Sequence, residues 1–366
     1  MGRNSSFLKS LSGQILLILT ILVSLGLLNL YSATHQLGVK AILFKKQLLW
    51  AGMGFIFLFI INFIDYRKFY FYAYHIYIAT ILLLVIALFF APRLMGARRW
   101  LPLGPVTIQP SELAKLVIVV ILARYFSDSE TPSQDLNSFL KALSLTIGPV
   151  FLIALEPDLG TALIITILFG SLCVISRVNN KVIIGTVLIS CFLSPLMWQF
   201  VLKDYQKARI LGFLFPQKDP FGIGYHILQS KITVGSGQLF GKGFLKGTQT
   251  QLRFLPEHYT DFIFSVFAEE WGFIGCITLL TCYFLLFLTG LRVCKKTTDT
   301  FGFLLASGIT AMLFWQTVIN IAMALGLLPV VGVPLPFMSY GGSAILTNFI
   351  AVGILMKIGR RKLIGG

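Results

Sequence analysis

The chain has 366 residues, of which 56% are hydrophobic and only 12% charged, more apolar side chains than a water-soluble domain of this length can bury. A formal net charge of +16 would suit a nucleic-acid binder, but no basic stripe interleaved with aromatics falls on a soluble segment. The cations border apolar runs instead, as they do beside anionic lipid headgroups.

Lipid offers backbone N–H and C=O groups no partner, so a spanning chain must be helical or a closed barrel, and continuous rather than alternating apolar runs select helices. A crossing takes about 20 residues. Breaks at charged and Pro/Gly clusters then place predicted spans at 13–33, 47–64, 70–91, 111–127, 138–155, 158–176, 181–202, 262–292, 301–327 and 342–358. The expected fold is an all-α polytopic bundle of about ten transmembrane helices in a single domain, 1–366, with one long external loop at about 203–261 between spans seven and eight.

The first apolar run, Gly13 to Tyr31, follows Arg3 and Lys9 but is too long for a secretory signal and lacks a small-residue cleavage site, so it reads as a retained span. With the amino terminus inside, Arg67, Lys68, Arg177, Lys181, Arg292, Lys295, Lys296, Lys357, Arg360, Arg361 and Lys362 all fall on the cytoplasmic side. Both termini are then cytoplasmic. Lys40, Lys45 and Lys46, and then Arg93, Arg98 and Arg99, break the rule by falling outside, and the arginines invite a functional explanation.

At the start of the fourth span, Pro110 and Ser111 make a plausible helix start and Glu112 complements the helix dipole. Glu112 and Lys115 share a helix face and can pair. The pair either fixes packing or lines a polar cavity in which Lys115 meets a phosphate. Next, Glu156-Pro157-Asp158-Leu159-Gly160-Thr161 breaks two apolar runs as an external turn, with Asp158 placed to cap the sixth span. The five cysteines lie in or beside apolar segments with no disulfide framework and no metal-ligand spacing, and read as packing residues.

Loops as long as the seventh-to-eighth connection are usually functional. It holds an amphipathic piece, Tyr225 to Val234, expected at the membrane interface, and a Gly-rich turn from Gly235 to Gly247. Gly235 to Gly243 has the wrong spacing for a phosphate-binding P-loop, and there is no His-Glu-x-x-His, zinc-type Cys pair or Gly-x-Ser-x-Gly elbow. Any reaction must draw its energy from the substrate. Leu255 to Phe262 closes the loop and brings Glu257 and Asp261 to the mouth of the eighth span. Capping by Thr260 or Asp261 is the simple account; proton abstraction by a carboxylate with a tuned pKa is the chemical one. Glu269 and Glu270 lie deeper and are expected to pair with a cation.

Five stretches together resemble the SEDS family (shape, elongation, division and sporulation) across essentially the full chain. They are Gly96-Ala97-Arg98-Arg99-Trp100-Leu101 with Gln109-Pro110-Ser111-Glu112; Glu156 to Thr161; Gly224-Tyr225-His226-Ile227 through Gln229-Ser230; Leu255-Pro256-Glu257 with Thr260-Asp261-Phe262-Ile263-Phe264; and Pro334-Leu335-Pro336-Phe337 with Ser339-Tyr340-Gly341-Gly342-Ser343. The run Gly247 to Leu252 is more similar to the RodA branch than to its division paralogue FtsW.

The resemblance implies a multi-pass protein of the bacterial inner membrane, a peptidoglycan glycosyltransferase that polymerises lipid II beside a class B penicillin-binding transpeptidase. It implies a functional aspartate at Asp261, a Glu–Lys pair at Glu112 and Lys115, an aspartate at Asp158 and a cation at Arg209. The family commonly carries His directly before the Thr-Asp pair; this chain has Tyr259 there and His258 one position earlier.

An inverting transfer needs a base for the attacking sugar hydroxyl and positive charge for the departing diphosphate. Asp261 is assigned the first role, and Arg98, Arg99, Lys115 and Arg209 the second, with Mg²⁺ or Mn²⁺ a further clamp that Asp261 could instead hold. Glu112 would orient Lys115, and the glycines of the Ser339 to Ser343 segment, Gly341 and Gly342, would admit substrate or a neighbouring helix. The main rival is a lipid II flippase, and the third reading a noncatalytic scaffold. Clustering of the ionisable groups at external helix ends, with no inverted repeat, favours the enzyme.

Overall fold

The computed structural model describes residues 10–35, 40–93, 98–104, 106–128, 136–219, 222–252, 254–255 and 257–360. Arg3, Lys9, Gly96, Ala97, Pro256, Arg361 and Lys362 lie outside the described residues. Each predicted span coincides with a helix: α1 Leu11–Thr34, α2 Lys40–Phe63, α3 Arg67–Phe90, α4 Pro110–Asp128, α5 Leu136–Leu155, α6 Leu159–Ile175, α7 Asn180–Leu196, α11 Ile263–Lys296, α12 Thr300–Ala324 and α13 Gly342–Gly359, with α8 to α10 in the long connection. Seven of these are long and apolar enough to cross a membrane by length and composition: α1, α2, α3, α5, α11, α12 and α13. Helices α6 and α7 are apolar but shorter, and α4 carries Glu112, Lys115, Arg124 and Asp128 within its length.

Burial divides the bundle. Helices α4, α12 and α13 form its centre, α4 packing against α3, α6 and α12, while α2 lies along α13 and α1 along α11. None of the described side chains of α7 is buried, so this helix presents its apolar surface outward. Among the described residues all five cysteines are free thiols, as their placement in apolar segments suggested.

Two features depart from the simple span pattern. A small antiparallel hairpin, β1 Leu101–Leu103 and β2 Val106–Ile108, precedes α4, with Leu101 opposite Ile108 and Gly104 at φ 65° in the turn. The second concerns α11, which breaks at Gly272 (φ 64°, ψ −164°), a conformation open only to glycine. The chain between Gly237 and Gly243 is stitched across that break: Lys242 N–H donates to the Glu269 carbonyl at 2.9 Å and Gly243 N–H to that of Glu270 at 3.0 Å. In return, Phe273 N–H donates to the Gln238 carbonyl at 2.9 Å and Ile274 N–H to that of Leu239 at 3.2 Å. Backbone groups freed by the kink are thereby satisfied within the protein, as a membrane demands. A Cβ on Gly237 or Gly241 would meet the Ala268 or Glu270 carbonyl at 2.0 or 2.1 Å, which is why this turn is rich in glycine.

The long connection is itself largely helical: α8 Asp204–Leu214, α9 Ile223–Ser236 and the single turn α10 Thr248–Gln251. Helix α9 covers the expected amphipathic piece, but its Gly224, Ile227, Ser230 and Thr233 are buried, and it packs against α11. Ser230 Oγ donates to the Ala324 carbonyl at 2.6 Å. Leu228 and Ile232 remain exposed on its other side.

Candidate active site

The functional residues collect where one set of helix ends meets. Helices α4, α6, α11 and α13 begin there and α5 and α12 end there. The loop before α11 turns tightly: the N–H groups of Thr260, Asp261 and Phe262 converge on the Glu257 carbonyl at 3.2, 3.2 and 3.3 Å, with Glu257 at φ 48°. Two contacts from outside the turn fix it. Asn320 of α12, with no exposed surface, donates from Nδ2 to the Asp261 carbonyl at 2.9 Å and to the Val333 carbonyl at 2.8 Å. Ser339 Oγ donates to the Thr260 carbonyl at 2.6 Å and accepts from Leu335 N–H at 2.8 Å.

Held this way, Asp261 is half-buried, and no described group donates a hydrogen bond to its carboxylate. Enclosure by protein and then the like charge of Glu257 push its pKa up to about 6, with Asp158 adding to the rise and Arg209 and Arg99 opposing it. The backbone of Gly332 (φ 77°) passes beside it, and a Cβ there would lie 3.6 Å from Oδ2. The result is an accessible carboxylate whose proton affinity lies near neutrality, within the field of two guanidinium groups.

Asp158 sits close by in a different state. Its Oδ2 accepts from Gln109 Nε2 at 3.0 Å, Ser111 Oγ at 2.9 Å and Thr161 Oγ1 at 2.9 Å, and its Oδ1 accepts from Thr161 N–H at 3.3 Å. It caps α6 as the turn pattern suggested and also ties α6 to the start of α4. Arg99 donates from Nε to the Glu156 carbonyl at 2.8 Å and from Nη2 to the Pro157 carbonyl, capping the end of α5 while staying in electrostatic reach of Asp261. The Glu156 carboxyl is fully buried with both oxygens unpartnered among the described residues; burial, then the Asp158 charge, push it up to about 8, so it is an uncharged acid at neutral pH.

The remaining expected residues separate into two groups. Arg209, on α8 with Tyr205 stacked at 6.0 Å, reaches Asp261 electrostatically. Glu112 and Lys115 form a buried ion pair at 2.8 Å, and Lys115 lies one helical turn below Ser111 on the same face, beneath the Asp158 cluster. Arg98 points elsewhere, donating from Nη1 to the Phe89 carbonyl at the end of α3 at 2.8 Å. Gly341 and Gly342 admit a neighbouring helix: Gly341 N–H donates to Gln47 Oε1 at 3.3 Å, and a Cβ on Gly342 would meet Trp50 at 2.3 Å. His258 is buried between the carbonyls of Leu255 (2.8 Å from Nδ1) and Ala33 (3.0 Å from Nε2), which makes it a tether to α1.

A family model described as a cell cycle protein and spanning FtsW, RodA and SpoVE matches residues 12–363. The chain belongs to this FtsW/RodA/SpoVE family. The peptidoglycan glycosyltransferase MrdB of Escherichia coli strain K12 is 41% identical over 95% of this chain and 93% of its own length. The peptidoglycan glycosyltransferase RodA of Treponema pallidum is 32% identical, with 95% and 97% covered. Among solved structures, one from work on a peptidoglycan synthase complex that coordinates polymerization and crosslinking matches with a TM-score of 0.82 at 30% identity, covering 95% of this chain and 97% of that one. The rod shape determining protein RodA of Thermus thermophilus matches with a TM-score of 0.71 at 28% identity over 95% and 96%.

Asn320 and Gln47 are site-building residues of this FtsW/RodA/SpoVE member that motif reading passed over. Gln47 Nε2 donates to the Ser339 carbonyl at 3.2 Å, anchoring the same strap that Asn320 holds from the other side. The available signal was a lone amide inside an apolar helix, which hydrocarbon does not tolerate without a partner.

Proposed function

We propose that this chain is a peptidoglycan glycosyltransferase that polymerises lipid II into glycan strands during cell elongation, with Asp261 as the base. The observation that carries the assignment is a half-buried carboxylate with no hydrogen-bond donor among the described residues, its pKa raised to about 6, within electrostatic reach of Arg99 and Arg209.

In the proposed step the 4-hydroxyl of one sugar attacks the anomeric carbon of the other lipid II. The new C–O bond forms as the anomeric bond to the diphosphate breaks, inverting that centre. The hydroxyl proton passes to the Asp261 carboxylate, and the polyprenyl diphosphate leaves with the bonding electrons. A base near neutral pKa is matched to this transfer. Arg99 and Arg209 stabilise the departing charge, and Lys115, oriented by Glu112, lies below them on the α4 face. Arg98, also expected at the diphosphate, would have to turn from the Phe89 carbonyl at the end of α3 to serve it.

In the alternative role Asp261 would hold Mg²⁺ or Mn²⁺ instead of acting as the base, and the ion would supply positive charge for the leaving diphosphate. Among the described residues no three His, Cys, Asp or Glu side chains gather to hold it alone.

The ten helices that coincide with predicted spans cross the membrane in this reading, with the Asp261 end external, both termini cytoplasmic and a class B penicillin-binding transpeptidase as partner. The cation distribution supports that orientation: Arg67, Lys68, Arg177, Lys181, Lys295, Lys296, Lys357 and Arg360 all flank the opposite helix ends. The test is polymer formation from lipid II by the purified chain in detergent, where no translocation is needed. Wild-type polymer from folded Asp261→Asn would remove Asp261 from the mechanism.

A further inference from the structure

At the end of the bundle opposite Asp261, the turn between α2 and α3 and the last turn of α13 enclose a cavity of about 300 Å³. Phe63, Asp65, Tyr66, Arg67, Lys357 and Arg360 line it, so three cations face one acid. The acid is engaged locally, since Asp65 Oδ1 accepts from Arg67 N–H at 3.0 Å at the start of α3. Lys357 Nζ donates to the Asn62 carbonyl at 2.9 Å, which uses one of its three N–H groups and leaves its charge at the cavity wall. Arg67 is exposed, and no described group accepts from its guanidinium.

The surroundings of this cavity are apolar. Helix α2 packs along α13 and α3 along α4, so the two consecutive helices diverge from the turn that joins them. Phe63, which lines the cavity, is 88% exposed and ends a stripe at helical spacing formed with Ile56, Phe59 and Ile60, each about half exposed. From the other side of the turn, Phe71, Tyr74 and Ile78 of α3 stand exposed at one, two and three turns beyond Arg67.

We propose that this cavity receives the headgroup of an anionic phospholipid, its phosphate against Arg67, Lys357 and Arg360 and an acyl chain along the stripe ending at Phe63. Inorganic phosphate would gain the charge contacts but leave the apolar stripe bare. A zwitterionic headgroup would bring its own ammonium against three cations, so the site discriminates by charge. The proposal rests on the chain lying in a membrane and not on its catalytic assignment.

The test is native mass spectrometry of the full chain in mild detergent, with phosphatidylglycerol and phosphatidylethanolamine of matched chains. Phosphatidylglycerol is expected to be retained about tenfold better, and Arg67→Gln to reduce that retention roughly fivefold, as expected for one cation at a lipid surface. Lys295→Gln, at the same end but outside the cavity, is expected to leave retention unchanged. Asp65→Asn keeps an acceptor for the Arg67 N–H and removes the opposing charge, so it raises retention and covers the case in which Arg67→Gln fails to fold. Equal retention of the two lipids, an equal loss in Lys295→Gln, a loss in Asp65→Asn, or displacement of the lipid by inorganic phosphate would each overturn the proposal.

Discussion

Two acidic residues little more than two helical turns apart, Asp261 and Glu269, occupy opposite chemical states. Glu269 is fully buried and saturated. Its Oε1 accepts from Lys242 Nζ at 2.8 Å and Gln249 N–H at 2.9 Å, and its Oε2 from Thr250 N–H at 3.2 Å and Thr250 Oγ1 at 3.0 Å. Asp261 keeps part of its surface open and has no described donor at all. A carboxylate with every lone pair occupied has no capacity left to take a proton from a substrate, whereas one with empty lone pairs and raised proton affinity is prepared for it. The first knots the long connection to the kinked helix, and the second is available for chemistry.

The contrast is broken most directly at Asp261. Asp261→Asn is expected to cut polymerisation about 10²- to 10⁴-fold, the usual weight of general base catalysis, with the thermal midpoint in detergent unchanged. Asn320→Leu releases the Asp261 and Val333 carbonyls and is expected to lower turnover by roughly one to two orders of magnitude, since small displacements of a base are costly. Its pH profile should keep its shape, because no charge is altered.

Glu269→Ala reverses the pattern. It removes the counter-ion of Lys242, leaves the Gln249 and Thr250 N–H groups without an acceptor and is expected to cost about 3 kcal/mol, read as a fall of several degrees in the thermal midpoint. If it instead abolished turnover while leaving the midpoint untouched, the distinction between the two acids would fail.

The smallest effect sharpens the assignment. Asp261 must be deprotonated to act, so turnover rises as pH passes upward through about 6 and is flat above. Glu257→Gln removes the like charge that holds that pKa up, so the rising limb moves to lower pH by a fraction of a unit. A limb that stays in place or moves upward would show that another group sets it.

Much of this was legible in the linear chain. Apolar runs such as Leu11–Thr34 and Thr300–Ala324 appear as helices within a few residues of their predicted bounds, because length and hydropathy alone decide what can cross hydrocarbon. Arg99, Asp158, Arg209 and Asp261, distant in sequence, were marked by unusual charge at helix ends and by the family motifs, and the first three lie within electrostatic reach of Asp261. The kink at Gly272 was hidden inside the single predicted span 262–292, since the partners that satisfy it are the backbone groups of residues 238–243, far away along the chain.

What the sequence by itself determined is the solvent and the cast: a helical membrane protein of the FtsW/RodA/SpoVE family, with a small number of acids placed at helix mouths. Only the tertiary structure decided which acid is occupied and which is open, and that Gly342 serves Trp50 while Ser339 serves the Thr260 carbonyl. Hydropathy is a property of each segment and survives in the linear chain. The state of a carboxylate depends on which donors other segments bring to it, and that is fixed only when the helices pack.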